Sequence, residues 1–232
     1  LEFRRVLFRS KLCLRKVNQL QLYIKHTFRF DGMSETWHGS IPLTPRDILA
    51  FDDYCADRGI ELVPSVSAFG HLYMALRTQS LRDLGEFPES ADESFVFINR
   101  MHHHMLNTSD DRAFDLSRRL VDDYLQLFRS DKFDICADET FDLGKSRSEP
   151  FAERIDVAAM YADCAIRPCR HLETRGRRPM MWGGITLEHP EILETLPEEV
   201  TLLNWQHDPQ VTDEKIRAVS ESGAKQIVRP SV

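Results

Sequence analysis

Residues 133 to 144 read FDICADETFDLG. Phe133-Asp134-Ile135-Cys136-Ala137 has the length and composition of a short strand, and it runs directly into two adjacent carboxylates, Asp138 and Glu139. An Asp-Glu pair is by default two solvated charges in a loop. At the C-terminal end of a strand it has another meaning, because α/β barrel enzymes place their catalytic side chains there. The small side chains of Cys136 and Ala137 would also let a ligand come close.

The pattern extends in both directions from this stretch. Upstream, Leu20-Gln21-Leu22-Tyr23-Ile24 reads as a strand. Thr44-Pro45 opens a helix as an N-cap followed by proline should, with Ile48, Leu49, Phe51 and Tyr54 at helical spacing and Gly59 as its stop. Ile60 to Pro64 is the next strand, followed by a long excursion from about Ser65 to Asp111. Leu116, Leu120, Tyr124, Leu125 and Phe128 mark an amphipathic helix over Phe114 to Phe128. Downstream the spacing predicts a helix over Val157–Leu172, a strand over Pro179–Trp182 and a short helix over Pro190–Leu196. A strand over Val200–Leu203, a helix over Lys215–Ser222 and a last strand over Lys225–Val228 complete the chain.

Six strands alternating with helices imply a parallel sheet built from βαβ units. An open doubly wound nucleotide binder should carry a glycine-rich turn after an early strand, and the chain has neither GxGxxG nor GxxxxGK[ST]. Polar and aromatic residues gather instead just past the strand ends: His26, His71, Asp138-Glu139, Trp182 and Trp205. The fold class that follows is α/β, a (β/α)₈ TIM barrel.

Composition sets outer bounds. The 232 residues suit one domain, are 42% hydrophobic and 29% charged, and carry a net charge of −7. An acidic balance argues against nucleic acid as a partner. No run of about 20 apolar residues occurs, so no membrane-spanning helix is expected. Five cysteines (Cys13, Cys55, Cys136, Cys164, Cys169) form no CxxC pair. Such scattering suits reduced thiols and tilts the expected location toward the cytoplasm. The first ten residues, LEFRRVLFRS, read as a non-native leader: LFRS is what a common sequencing adaptor gives on translation, and Glu2-Phe3 can encode a restriction site. The barrel domain is therefore set at residues 11–232.

Adjacent carboxylates restrict the chemistry. An ordinary glycosidase needs its two acids on opposite sides of the scissile bond, about 5–9.5 Å apart. Neighbouring residues at one strand end cannot flank a sugar in that way. They suit a substrate that supplies its own nucleophile, the oxygen of a 2-acetamido group. One carboxylate then orients the acetamido N–H and balances the oxazolinium charge, while the other protonates the leaving oxygen.

At this point the chain resembles the catalytic barrel of glycoside hydrolase family 20, the β-N-acetylhexosaminidases. The resemblance runs from about Lys16 to Val228. It rests on the strand leading into Asp138-Glu139, about seventy residues after the strand ELVPS (61–65) and the segment SAFGHL (67–72) with its Gly-His. It implies that Glu139 is the general acid/base, that Asp138 orients the acetamido group and that His71 supports the acid. Trp182 and Trp205 would line the sugar pocket, with His26 within reach of it. It implies an N-acetylated glycan, GlcNAc or GalNAc, as substrate, and no cofactor. Typical members carry a histidine and two glycines before the acid pair where Asp134, Cys136 and Ala137 stand here. They also have an Asp near the position of His26, and a proline where Phe69 precedes Gly70. These departures indicate a divergent branch and weigh most on the histidine.

Other readings remain open at this level. A different barrel glycosidase could pair Glu139 with a distant carboxylate such as Asp208, and an inactive sugar-binding barrel would keep only the pocket. His102-His103-His104 invites a metal, but three consecutive side chains cannot all face one ion in a regular element, and no metal is expected. Lys25, Arg77 and Arg82 could meet an acidic substituent or form a solvated face. Six strands fall short of eight. The resemblance enters near the second strand and ends near the seventh, so the expectation is a barrel without its first and last strands, inactive as a fragment.

Overall fold

The computed structural model describes residues 16–94, 96, 105–206 and 213–230. Among them are six strands: β1 (Gln19–Ile24), β2 (Glu61–Val66), β3 (Lys132–Asp134), β4 (Arg178–Trp182), β5 (Thr201–Gln206) and β6 (Lys225–Pro230). All pair in parallel, and their spatial order is their order in the chain, β1-β2-β3-β4-β5-β6. A doubly wound sheet reverses its order at a switch point. Here the sheet advances one strand at a time without reversal, the progression of a (β/α)₈ barrel. With six strands described and β1 and β6 at its edges, the barrel is incomplete and the sheet does not close.

The helices form where local chemistry favours them. Thr44 caps the Pro45–Ala56 helix in a full capping box: its hydroxyl accepts from Asp47 N–H at 3.3 Å, and Asp47 Oδ2 accepts from Thr44 N–H at 3.0 Å. Gly59, at φ +66°, turns the chain so that Ile60 N–H bonds back to the Cys55 carbonyl at 3.0 Å. The Asp111–Leu125 helix begins three residues before the first residue predicted, because Asp110 accepts from Arg112 N–H and caps it. The Val157–Thr174 helix packs on β4. The turn predicted helical over 190–196 is a 3₁₀ segment, Pro190–Glu194, preceded by a short α-helix at Gly184–Glu188 that the pattern did not reveal.

Period-two alternation splits the sheet into two faces. The outer one, through Ile24, Leu62, Val66, Phe133, Ile135, Met181 and Leu202, joins the helices in one apolar core. Tyr124 lies within it, its ring edge-on to Phe28 at 5.0 Å and to Phe128 at 4.7 Å. The inner face carries a smaller cluster of Val63, Met180 and Leu203, with Trp182 against it. Burial on both faces is what parallel barrel strands require. Four cysteines of the described residues, Cys55, Cys136, Cys164 and Cys169, are free thiols, and Cys13 lies outside those residues. No helix of the described residues is long and apolar enough to cross a membrane.

The capping box gives a direct stability test. Thr44→Ala removes the side-chain acceptor at the N-terminus of the Pro45–Ala56 helix. It is expected to cost about 1 kcal/mol, measured by equilibrium denaturation.

Candidate active site

The site forms where the chain leaves β2 and β3. Hydrogen bonding continues past the last residue of β3: Ile135 N–H donates to the Met180 carbonyl at 2.9 Å, and Trp182 N–H donates to the Cys136 carbonyl at 2.7 Å. The backbone, however, abandons the extended conformation that was predicted through Ala137. Cys136 and Ala137 have φ of +65° and +62°, and Glu139 follows at +50°. From β2 the chain runs through Ala68, whose N–H donates to the Ile135 carbonyl at 3.2 Å, to Gly70 and then to His71 at φ +51°. Of the five non-glycine residues with positive φ among the described residues, four therefore converge here. Such clustering marks a segment whose surroundings over-determine its geometry.

Gly70 permits the close approach. A Cβ at that position would lie 3.0 Å from the Asp138 main-chain oxygen, which cannot give way as a flexible side chain would. The two loops thus meet backbone to backbone and bring three functional groups together. His71 Nε2 lies 3.0 Å from Glu139 Oε2 and 3.3 Å from Asp138 Oδ2. The His71 side chain is only 8% exposed, against 19% for Asp138 and 22% for Glu139, so the imidazole backs the carboxylates and the carboxylates face outward. Residues predicted from opposite ends of a seventy-residue interval share one contact.

Beneath them lies a polar network that the sequence pattern did not single out. Ser65 Oγ donates to Asp134 Oδ2 at 2.6 Å, and Asp134 Oδ1 accepts the Cys136 N–H at 2.9 Å. Ser65 Oγ also lies 3.4 Å from Cys136 Sγ, and Tyr23 brings its hydroxyl 2.8 Å from Ser67 Oγ. Asp134 is wholly buried. Burial, reinforced by the charge of Asp138, outweighs its two hydrogen bonds and lifts its pKa to about 7. Burial likewise raises the Tyr23 phenol and the Cys136 thiol, with nearby negative charge adding to both. From the helix side, Tyr161 donates its hydroxyl to the Ala137 carbonyl at 2.8 Å. Further along, buried Glu86 accepts from the N–H groups of Ser146 and Ser148, each at 2.9 Å, and from the Ser148 hydroxyl at 2.7 Å. It ties the loop after the acid pair to the β2–β3 excursion.

The remaining predicted residues fall around this group. Trp182 stands at the end of β4 against the inner apolar cluster, and its backbone holds the Cys136 carbonyl. Trp205, on β5, packs over Gly184, with indole carbons 3.7–4.0 Å from where a Cβ would project. His26 is half-buried past β1 and held toward its neutral form by burial and by the Lys25 ammonium; the β1 residue that reaches the polar network is Tyr23. Lys25 lies over the Tyr23 ring at 5.3 Å. Arg82 is committed to Asp92 through two bonds of 2.8 and 2.9 Å, and Arg77 bonds the Ala91 carbonyl at 3.1 Å, so both brace the excursion. His102, His103, His104 and Asp208 lie outside the described residues. Among the described residues, His71, Asp138 and Glu139 are also the one trio whose ligand atoms, all within 4.8 Å of one another, could surround a cation. A histidine proton shared toward two carboxylates accounts for the same spacing without an ion.

The model for glycosyl hydrolase family 20, catalytic domain, matches residues 16–232. The chain belongs to that family. Solved structures agree in fold. A β-N-acetylhexosaminidase from Bacteroides fragilis NCTC 9343 superposes with a TM-score of 0.74 at 15% identity, covering 96% of this chain and 46% of that one. The chitobiase of Flavobacterium johnsoniae gives 0.76 at 18% identity, over 96% and 35%. An exo-β-N-acetylglucosaminidase from Vibrio harveyi, in complex with N-acetylglucosamine, gives 0.72 at 13%, over 97% and 38%. The chain spans less than half the length of each of these proteins. No curated protein matches the chain at a significant level.

The raised pKa of Asp134 has a consequence for stability. A carboxyl that binds its proton more tightly when folded stabilises the fold fully below its ordinary value of 3.8, and that stabilisation is lost as pH rises through about 7. Asp134→Asn, which cannot ionise, is therefore expected to gain stability relative to the parent at pH 8 and to lose that advantage at pH 4. Thermal unfolding at the two pH values checks it; a difference independent of pH would contradict the assignment.

Proposed function

We propose that this domain hydrolyses terminal β-linked N-acetylhexosaminides with retention of configuration, through an oxazolinium intermediate formed by the substrate itself. One observation carries the reading: the Asp138 and Glu139 carboxylates meet the same His71 nitrogen, at 3.3 and 3.0 Å. Two acids gathered on one side of a site cannot act as nucleophile and acid on opposite faces of a sugar ring, whereas substrate assistance needs no enzymic nucleophile. Family membership supports the reading, as do solved relatives described as a β-N-acetylhexosaminidase, a chitobiase and an exo-β-N-acetylglucosaminidase holding N-acetylglucosamine.

In the first step the acetamido oxygen attacks C1 as the C1–O bond to the leaving group breaks. Glu139 gives its proton to the departing oxygen. Asp138 accepts a hydrogen bond from the acetamido N–H and faces the positive charge that grows on the ring, an interaction stronger in the transition state than in the ground state. In the second step water attacks C1, Glu139 takes its proton, and the oxazolinium opens to restore the acetamide. His71, behind both acids, orients Glu139. Trp182 and Trp205, at the ends of β4 and β5, would offer aromatic faces to the sugar, with His26 at the rim. The partner is an N-acetylated glycan, GlcNAc or GalNAc at its terminus.

In the intact protein, Glu139→Gln is expected to lower kcat about 10²–10⁴-fold on glycosides with poor leaving groups. Asp138→Asn should reduce kcat much more than it raises KM, and a thiazoline analogue of the intermediate should inhibit far better than free N-acetylglucosamine. Chelation with EDTA should leave the rate unchanged. A sugar ester trapped on an enzyme carboxylate, or equal binding of thiazoline and free sugar, would rule the mechanism out.

A further inference from the structure

The backbone at Cys136 and Ala137 is the most demanding stretch of the site. A left-handed conformation is disfavoured for an L-residue that carries a Cβ, and two consecutive non-glycine residues adopt it here, at φ +65° and +62°. Besides the Ala137 N–H bond to the Ile135 carbonyl at 3.0 Å, three hydrogen bonds hold them. The Trp182 N–H bond to Cys136 is the continuing β3–β4 ladder, and the Tyr161 hydroxyl caps the Ala137 carbonyl. The third acts from within: Asp134 Oδ1 accepts the N–H two residues ahead, the local turn that Asp side chains favour. Its other oxygen is fixed by Ser65 of β2 at 2.6 Å. Asp134 is wholly buried, on an inner face whose neighbouring cluster of Val63, Met180 and Leu203 is apolar. A carboxyl in such a place is costly unless its bonds accomplish something an apolar side chain could not.

We propose that Asp134 is a positioning residue of this active site: its carboxyl group imposes the left-handed turn that swings Asp138 and Glu139 onto one His71 nitrogen. Glycine takes the same φ at no steric cost, so the Asp134 bond and glycines at 136 and 137 are two solutions to one problem. Asp134 should then be indispensable with Cys136 and Ala137 in place and dispensable with glycines there. The kinetic readout of this inference rests on the proposed hydrolysis; its structural readout does not.

The experiment compares kcat, KM and thermal midpoint for the intact protein, Asp134→Ala, Asp134→Asn, the Cys136→Gly/Ala137→Gly pair, and the triple variant, on a chromogenic N-acetyl-β-glucosaminide. Asp134→Ala is expected to lower kcat about 10–100-fold, the order that a small misplacement of catalytic groups costs, with KM changed by less than about threefold. Asp134→Asn, whose amide oxygen can accept the same N–H, should keep kcat within about threefold. In the glycine background Asp134→Ala should cost less than about threefold. Normal kcat in Asp134→Ala with only a lowered midpoint would overturn the proposal, as would an undiminished loss in the glycine background. If Asp134→Ala alone does not fold, the triple variant decides: kcat equal to that of the glycine pair supports the proposal, and a tenfold drop contradicts it. If the parent turns over no N-acetylhexosaminide, the hydrolase reading fails separately. Crystal structures then test the turn, since residues 136 and 137 leaving positive φ in Asp134→Ala supports the proposal and their keeping it contradicts it.

Discussion

In an extended strand successive side chains point to opposite faces, so two consecutive carboxylates at a strand end should not be able to serve one site. The chain escapes this limit by leaving the extended conformation immediately after Ile135. Cys136, Ala137 and Glu139 all turn left-handed, and His71 does so on the facing loop. The rest of the site depends on that departure. The β3–β4 ladder and Tyr161 hold the turn in place, and Gly70 lets the histidine loop approach the Asp138 backbone as closely as its missing Cβ allows. The result is a trio in which one imidazole nitrogen lies 3.0 and 3.3 Å from two different carboxylates.

The two faces of the sheet divide the work. The outer face is continuous with the helices and supplies the apolar burial that holds the fold together. The inner face is mixed: the Val63, Met180 and Leu203 cluster on one side, and the polar column of Ser65, Ser67, Asp134 and Cys136, with Tyr23 above it, on the other. With its pKa near 7, Asp134 is largely protonated in mildly acidic solution. Its protonation removes a negative charge from beneath the acid pair. That arrangement suits a step in which positive charge develops on the substrate and a single carboxylate must face it.

Much of this was legible in the sequence where the determinants are local. The parallel strands, the Thr44 cap and the Gly59 stop each follow from residues within a few positions of one another. The pairing of His71 with Asp138-Glu139 was legible through the family pattern, since no local rule connects residues so far apart. The polar network was harder to see. Ser65 bonds Asp134 across 69 positions, Tyr161 reaches Ala137 across 24, and Glu86 holds Ser148 across 62; periodicity carries no information about such pairs. A signal was nevertheless present. Ser65 and Ser67 alternate with apolar neighbours in ELVPSVS, and Asp134 sits between Phe133 and Ile135, so the period of two places all three on the inner face. The shortness of β3 was harder to read, because the bonds that hold Cys136 and Ala137 left-handed combine a local one, to Asp134, with tertiary ones from Trp182 and Tyr161 that periodicity does not reveal.

In the proposed mechanism the substrate's own acetamido oxygen displaces the leaving group while Asp138 and Glu139 assist from one side. The most direct measurement is the rate of the intact protein on a series of aryl glycosides whose N-acetyl group carries zero, one, two or three fluorines. Each fluorine weakens the acyl oxygen as a nucleophile and leaves the aglycone untouched. With the acetamido oxygen as nucleophile, kcat/KM is expected to fall steeply with every fluorine added. A rate indifferent to fluorination would mean that the nucleophile lies elsewhere in the protein, and would contradict that mechanism.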